Sequence, residues 1–564
     1  MKQRVLNLYA VSASFFGAAT VCAQGSAAQG MWSHVGGLTS RNAVTHAIVP
    51  DIGQARWTRS FDEGGLAIVW RWQSTPIVAE EFVFALGTVR PAGADVLKCF
   101  AIKRSDGGIA WSRVLPNGGA SLGSQSSPAL SAARGELFIA TGSFLTAVRA
   151  SDGAELWQTT LMRAVVNASP VVTDDLATVV GTGIGGSTRL VAQNRVFITD
   201  YDFDASGSPG SVYCLNVDPF DATANPYQQG EIVWTFALGG TSGNSVAYVR
   251  RREGGAGLVY VASAGEPEVT GGSVIALDAR ATTMPMMVWN VSNTIEQGYF
   301  GGVSVALGAS GRLEVFASSY SFYDLANTLR LDARSGAMLG EVSSNRSSTT
   351  PMVLPVGLCV AGASGAASRV VLSAGYDGFG SVASLVGMAM GENGSAAQWD
   401  SWTSAGRRMG GWNHQPVVSI AGGRSIALVG TIATGSNTQA AQRLMAVDIS
   451  RVPADPLFIV QQANGSTGGV GGGSVAMAGL NAYSIGATGL AAFGPAWTGA
   501  DVRADGRIGI DDLYAWEAGA GVRDVDGDGD VDAQDRATMV AWLRWQERST
   551  GHLMGARGLG EVVP

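Results

Sequence analysis

Short apolar runs separated by polar, Gly-rich turns recur from residue 52 to 494, roughly every 40 to 70 residues, the spacing of a repeated supersecondary unit. Each unit opens with Ser or Thr, Pro and two apolar residues: Thr75-Pro76-Ile-Val, Ser127-Pro128-Ala-Leu, Ser169-Pro170-Val-Val and Thr350-Pro351-Met-Val, with Gln415-Pro416-Val-Val as a variant. A second run follows, as in Phe82 to Leu86, Val196 to Thr199, Leu258 to Ala262 and Ile426 to Gly430. A third comes next, as in Leu97 to Ile102, Val212 to Val217, Val274 to Asp278 and Leu444 to Asp448. A Gly-containing turn then leads to a strand bearing Trp111, Trp157, Trp234 or Trp289. Four short strands joined by turns predict a four-stranded antiparallel sheet. Such a sheet leaves an apolar face in water unless successive sheets stack radially, which predicts a β-propeller.

The count of units is eight, with seven as the alternative because the fifth and sixth are irregular. The last unit, Gly473 to Phe493, has no Trp strand of its own. The orphan stretch Ala55-Arg-Trp57-Thr-Arg-Ser-Phe61 can supply it and remove the last free sheet edge.

Two units share the spacing Ala-x5-Gly-x3-Trp: Ala101 to Gly107 to Trp111, and Ala147 to Gly153 to Trp157. Gly admits the positive φ of a tight turn, and Trp offers a flat face to the adjacent sheet. The pattern resembles the tryptophan-docking repeat of quinoprotein dehydrogenases and of PQQ-like propeller scaffolds such as outer-membrane assembly lipoproteins. Arg330 to Gly340 keeps Gly336 but not the Ala and Trp. The resemblance implies a redox cofactor only in part. This chain has no adjacent Cys pair to lie over a quinone and no Cys-x-x-Cys-His haem site, so neither PQQ nor haem is expected.

Beyond residue 494 the pattern changes. Asp524, Asp526 and Asp528 alternate, Gly529 permits a turn, and Asp530 (through its carbonyl), Asp532 and Asp535 complete a twelve-residue loop of oxygen donors suited to Ca2+. A second copy upstream supplies Asp501, Asp505, the Arg507 carbonyl and Asp512, with Arg503 in place of one ligand. One strong and one weaker Ca2+ site are therefore expected. Each loop runs into a helix, with Leu513 and Trp516 on one face of the first and Met539, Val540 and Leu543 on one face of the second. The pair resembles a bacterial dockerin over residues 499–547, which implies a cohesin-like or envelope partner. The fold class expected is thus mainly β, a propeller with a small α-helical calcium-loop domain.

The chain has 564 residues, of which 78 are Gly and 15% are charged. Gly is near twice its usual share of ~7%, and charge is well under the usual ~25%, a profile of many turns and two-sided sheets. A net charge of −8 argues against nucleic acid as a partner. Lys2 and Arg4, an apolar stretch from Val5 to Ala19 and Val21-Cys22-Ala23 read as a signal peptide over residues 1–23. Export to the periplasm, cell surface or medium is expected, with no membrane span. Residues 24–51 form an N-terminal segment, 52–494 the propeller, and 548–564 a tail. Cys99, Cys214 and Cys359 read as buried thiols.

Catalytic motifs are sparse. The carboxylates Asp95, Glu136, Asp174, Asp175, Asp200, Asp202 and Asp204 are available to a hydrolase, and Asp200-Tyr-Asp-Phe-Asp offers a second cation site or an active loop. His414, with Trp412 and Asn413, stands before an inner strand, where loops gather at the channel mouth. The expectation is an exported, non-catalytic binding or scaffold propeller anchored by the dockerin-like module, with a polysaccharide or protein ligand on its face. The alternative is a secreted carbohydrate-active hydrolase or lyase.

Overall fold

In the computed structural model, most of residues 31–494 are described, together with 510–519, 536, 539 and 540. The described chain is mainly β and forms a β-propeller. In chain order, sheet 1 holds Ile77–Val78, Phe82–Val89, Val96–Lys103 and Ile109–Val114, with Val69–Trp70 also paired to Phe82–Val89. Sheet 2 has three strands, Ala129–Ser131, Glu136–Arg149 and Glu155–Val165. Sheets 3, 4, 5 and 6 are four-stranded, starting at Val171, Ala247, Val303 and Val356. Sheet 7 runs from Val417 to Gln462 and gains Val44–Thr45 as a parallel fifth strand. Sheet 8 holds Val475–Ala478, Asn481–Ile485 and Leu490–Phe493. Its fourth strand is Trp57–Arg59, antiparallel to Leu490–Phe493 with Trp57 opposite Ala492. Seven sheets are therefore full blades of four or five strands, and the N-terminus closes the ring.

The sequence pattern follows from burial. Strands near the axis are covered on both faces by neighbouring sheets, so Val196 to Thr199 and Leu258 to Ser263 are buried throughout. Outermost strands alternate, as in Met287–Ser292, where Trp289 is buried between exposed neighbours. Those tryptophans join the blades. Trp57 donates its indole N–H to the Arg104 carbonyl at 3.0 Å, Trp111 to Ala150 at 3.1 Å, Trp234 to Ala281 at 3.0 Å and Trp289 to Ala333 at 3.2 Å. Each acceptor belongs to the next sheet. A Cβ on Gly107, Gly153, Gly230 or Gly336 would lie within 2.8 Å of the ring of Trp57, Trp111, Trp157 or Trp289. Gly336 thus serves the Trp of the preceding blade, which is why it persists where its own blade has lost its Trp.

Past the propeller, one helix, α1 (Ile510–Glu517), buries Leu513 and Trp516, the face expected of it. Met539 is also buried, and Arg536 pairs with Glu517 at 2.8 Å. The second calcium loop, and the first up to residue 509, lie outside the described residues, and a dockerin fold is not shown.

Candidate functional site: the axial segment and an arginine-lined cavity

The strands nearest the axis have backbone N–H groups that their own sheets leave unpaired, and a buried orphan N–H is costly. Residues 32–45 supply the partners, visiting the sheets in chain order. Trp32 exchanges two backbone bonds with Val78 of sheet 1, at 2.8 and 2.9 Å, and Leu130 of sheet 2 donates to the Ser33 carbonyl at 2.8 Å. Val172 of sheet 3 donates to His34 Nε2 at 3.3 Å. Tyr248 of sheet 4 donates to Thr39 O and Val305 of sheet 5 to Ser40 O, both at 2.8 Å. Val418 and Ile420 of sheet 7 donate to Ala43 O and Thr45 O, at 2.8 and 2.9 Å.

An arc of bonds beside this strap links sheets 1 to 4. The Thr75 N–H donates to Ser127 Oγ at 2.8 Å, Ser127 N–H to Ser169 Oγ at 2.9 Å and Ser169 N–H to Ser245 Oγ at 3.0 Å. The recurrent Ser/Thr-Pro phrase is therefore a blade-to-blade hydroxyl relay.

Two titratable side chains of the strap are fully buried. His34 lies well below the ordinary histidine range because burial disfavours its charged form and the Arg41 and Arg250 guanidiniums oppose it. Its Nε2 accepts from Val172, so the neutral ring carries its proton on Nδ1, 2.8 Å from Ser33 Oγ. Arg41 has φ 59°, and burial pulls its pKa down to about 9. Four carbonyls offset that cost: Val246 at 2.9 Å, Ser169 and Pro170 at 2.8 Å, and Val35 at 3.3 Å.

A cavity of about 180 Å³ opens between sheets 3 and 4, lined by Thr178, Gln193, Arg195, Arg251, Arg280 and Thr282 among others. It lies beside a hairpin, Ala177–Gly181 with Thr188–Ala192, inserted after the first strand of sheet 3. Arg195 donates to Asn216 Oδ1 at 2.7 Å, and burial lowers its pKa. Arg280 grips Asp278 with two bonds of 2.8 and 2.7 Å, which raise its pKa. Arg251 is exposed, and among the described residues no carboxylate forms an ion pair with its guanidinium. A smaller cavity near Ser33 is lined by Arg250 and Asp174, which pair at 2.6 Å and neutralise each other.

The sequence-predicted residues fare unevenly. Asp501, Asp505, Arg507, Asp524, Asp526, Asp528, Asp530, Asp532 and Asp535 lie outside the described residues, as do Asp202, Asp204, Trp412, Asn413 and His414. Asp512 is buried in the first turn of α1. Among the described residues no group of three or more His, Cys, Asp or Glu is placed to hold a metal.

The carboxylates suggested for hydrolysis are occupied and dispersed. Asp95 pairs with Arg90, Glu136 with Arg134 and Asp174 with Arg250. Asp175 accepts from Tyr248 Oη, and Asp200 from Tyr213 Oη and the Ser211 N–H. Burial pushes the Cys99 and Cys214 thiols up, as inert core residues. The sequence reading missed the strap, whose bonds run mostly through carbonyls that any residue possesses. It also missed the three arginines, which are far apart in the chain.

Residues 19–202, less than half of the chain, match the family described as outer membrane protein assembly factor BamB. No curated protein matches. Among solved structures, a europium-containing methanol dehydrogenase is 12% identical with a TM-score of 0.52, covering 86% of this chain and 93% of that one. The quinohemoprotein alcohol dehydrogenase ADHIIG from Pseudomonas putida HK5 is 13% identical with a TM-score of 0.49, covering 84% and 78%. BamB from Moraxella catarrhalis is 14% identical with a TM-score of 0.43, covering 78% and 96%. At these identities the likeness is one of fold alone.

Two expectations are corrected by these likenesses. The non-catalytic scaffold anchored by a dockerin-like module, and the carbohydrate-active enzyme set beside it, have no support in the family match or in the fold shared with a methanol dehydrogenase. The cofactor expectation, Ca2+ with PQQ and haem excluded, gives way as well, because the fold is shared with a europium-containing methanol dehydrogenase. Lack of a Cys-Cys pair removes one device for holding a quinone and not the cofactor class. At the axis itself the described residues do not fit a quinone, since residues 32–45 take up the hydrogen bonds of the inner strands and the donors of Arg41 are spent on carbonyls. No helix among the described residues is long and apolar enough to cross a membrane. What the chain carries is a PQQ-like β-propeller.

Proposed function

We propose that this is an exported PQQ-like propeller that binds a small carboxylate-bearing anion in the cavity between sheets 3 and 4. The observation carrying the reading is the convergence of Arg195, Arg251 and Arg280, with Asp278 the only carboxylate ion-paired to any of the three among the described residues. Guanidiniums suit carboxylates because they offer planar, paired donors, and Thr178, Gln193 and Thr282 add neutral hydrogen-bonding groups. Pyrroloquinoline quinone is itself a tricarboxylate, so it is the first probe, and citrate is the control without a quinone. Counting three-stranded sheet 2 as a blade gives an eight-bladed ring under this reading. The signal-like start supports export, and α1, with its Glu517 paired to Arg536, supports a small helical C-terminal module.

The test is calorimetric titration of the full-length protein with each probe at low and high salt. Binding should weaken with salt, since Arg251 is exposed, and Arg251→Ala should lower affinity at least tenfold. Binding that ignores Arg251→Ala and Arg280→Met would place the ligand elsewhere and overturn the reading, as would no heat from either probe.

A further inference from the structure

The axis carries an inference independent of the arginine cavity. Residues 32–45 form almost no regular structure of their own, yet they contact the inner strands of sheets 1, 2, 3, 4, 5 and 7 in order. This is how an extended peptide ligand is bound: main-chain bonds give affinity, and a few pockets give specificity. We propose that the propeller axis is a peptide-binding channel whose resident ligand is the chain's own Trp32–Thr45 segment.

Three features give it ligand-like anchors. Trp32 is fully buried against the first sheet, with Gly37 turned back onto its ring: a Cβ there would lie 3.1 Å from the indole, closer than ordinary contact. His34 places one ring nitrogen on the sheet 3 backbone. Arg41 reaches carbonyls of two different sheets, a fork that Lys cannot reproduce. Two positive-φ glycines, Gly36 at 75° and Gly37 at 87°, let the segment turn between its first anchors and Arg41. The connection onward passes the exposed Gln54 before the Trp57 strand begins, so the ligand and the ring-closing strand are separable.

The experiment inserts a protease site at Gln54 in the full-length protein, which leaves Trp57 in place. After cleavage, the nicked protein is unfolded and refolded with or without a fluorescent peptide of residues 31–53. The proposal expects the labelled peptide to be incorporated at one per propeller and to compete with the resident segment. A peptide with Arg41→Lys should bind at least tenfold more weakly, and a scrambled peptide should not bind. Refolding that excludes the peptide while the remaining chain regains its native spectrum would overturn it. So would failure to refold in the presence of the peptide, because the segment would then be an inseparable part of the fold. Neither result bears on the arginine cavity, which Arg251→Ala tests separately.

Discussion

Replacing Gly107 by Ala should unlatch the ring where its two ends meet. Gly107 has φ 73°, in the left-handed region that costs an L-residue ~1 kcal/mol or more. The new Cβ would sit 2.8 Å from Cδ2 and Cε3 of Trp57, so the indole must retreat by several tenths of an ångström. That retreat weakens the 3.0 Å bond from Trp57 to the Arg104 carbonyl, and the Arg59 bond to the Gly107 carbonyl at 2.7 Å shifts with it. Strain, a loosened indole and one weakened hydrogen bond together cost about 3 kcal/mol. With an unfolding entropy of ~2 cal/mol/K per residue over a propeller of roughly 440 residues, this lowers Tm by about 3 °C. Scanning calorimetry at a matched heating rate measures it. Trp57→Ala alone should cost about 3 to 5 kcal/mol. In that background Gly107→Ala should cost only its backbone strain, leaving a coupling near 2 kcal/mol. If the two substitutions are additive, Trp57 does not dock on Gly107 and the closure argument fails.

Two other perturbations probe the axis. His34 is held neutral, so its folded pKa lies below its unfolded value near 6.5, and between the two only the unfolded chain binds the proton. Stability is therefore complete above about pH 7 and falls as pH drops below 6.5, by at most ~1.4 kcal/mol per unit; His34→Gln, which keeps an acceptor for Val172, should flatten that slope between pH 6.5 and 5 in denaturant melts, and an unchanged slope would refute the assignment. Ser169→Ala removes the acceptor of the buried Ser127 N–H, so it should cost about 1 to 3 kcal/mol, while Ser169→Thr should be far milder if its hydroxyl takes the same place.

The strands were legible in the sequence because blade packing imposes a pattern on them. The apolar runs Ile426 to Gly430 and Leu444 to Asp448 are strands with those same ends. The orphan Trp57 stretch is the missing strand of sheet 8. Each of these depends on side-chain type at a fixed spacing. The inserted hairpin escaped notice because its exposed strands, with Val179 and Leu190 open to solvent, have no core to impose a pattern. The strap escaped for a different reason: its partners are recruited by carbonyls, and only Trp32, His34 and Arg41 carry a side-chain signature.

The chain's economy with charge makes its few unmatched cations informative. With 37 Lys and Arg against 45 Asp and Glu, carboxylates are in excess, and most buried guanidiniums have found partners. Arg330 lies against Glu314 at 2.7 Å with both side chains buried. Arg104 donates to Tyr483 Oη at 2.9 Å and to the Ala79 and Glu80 carbonyls at 3.0 Å, clamping sheet 1 to sheet 8. Arg134 pairs with Glu136 and Asp218. Each of these arginines is accounted for by the fold that it holds together. Arg251 is not: its backbone N–H caps Asp175, but its side chain turns to a cavity shared with Arg195 and Arg280. An exposed cation with no carboxylate ion-paired to its guanidinium among the described residues, set beside two others in a protein with a surplus of acid, is where an outside anion meets least competition.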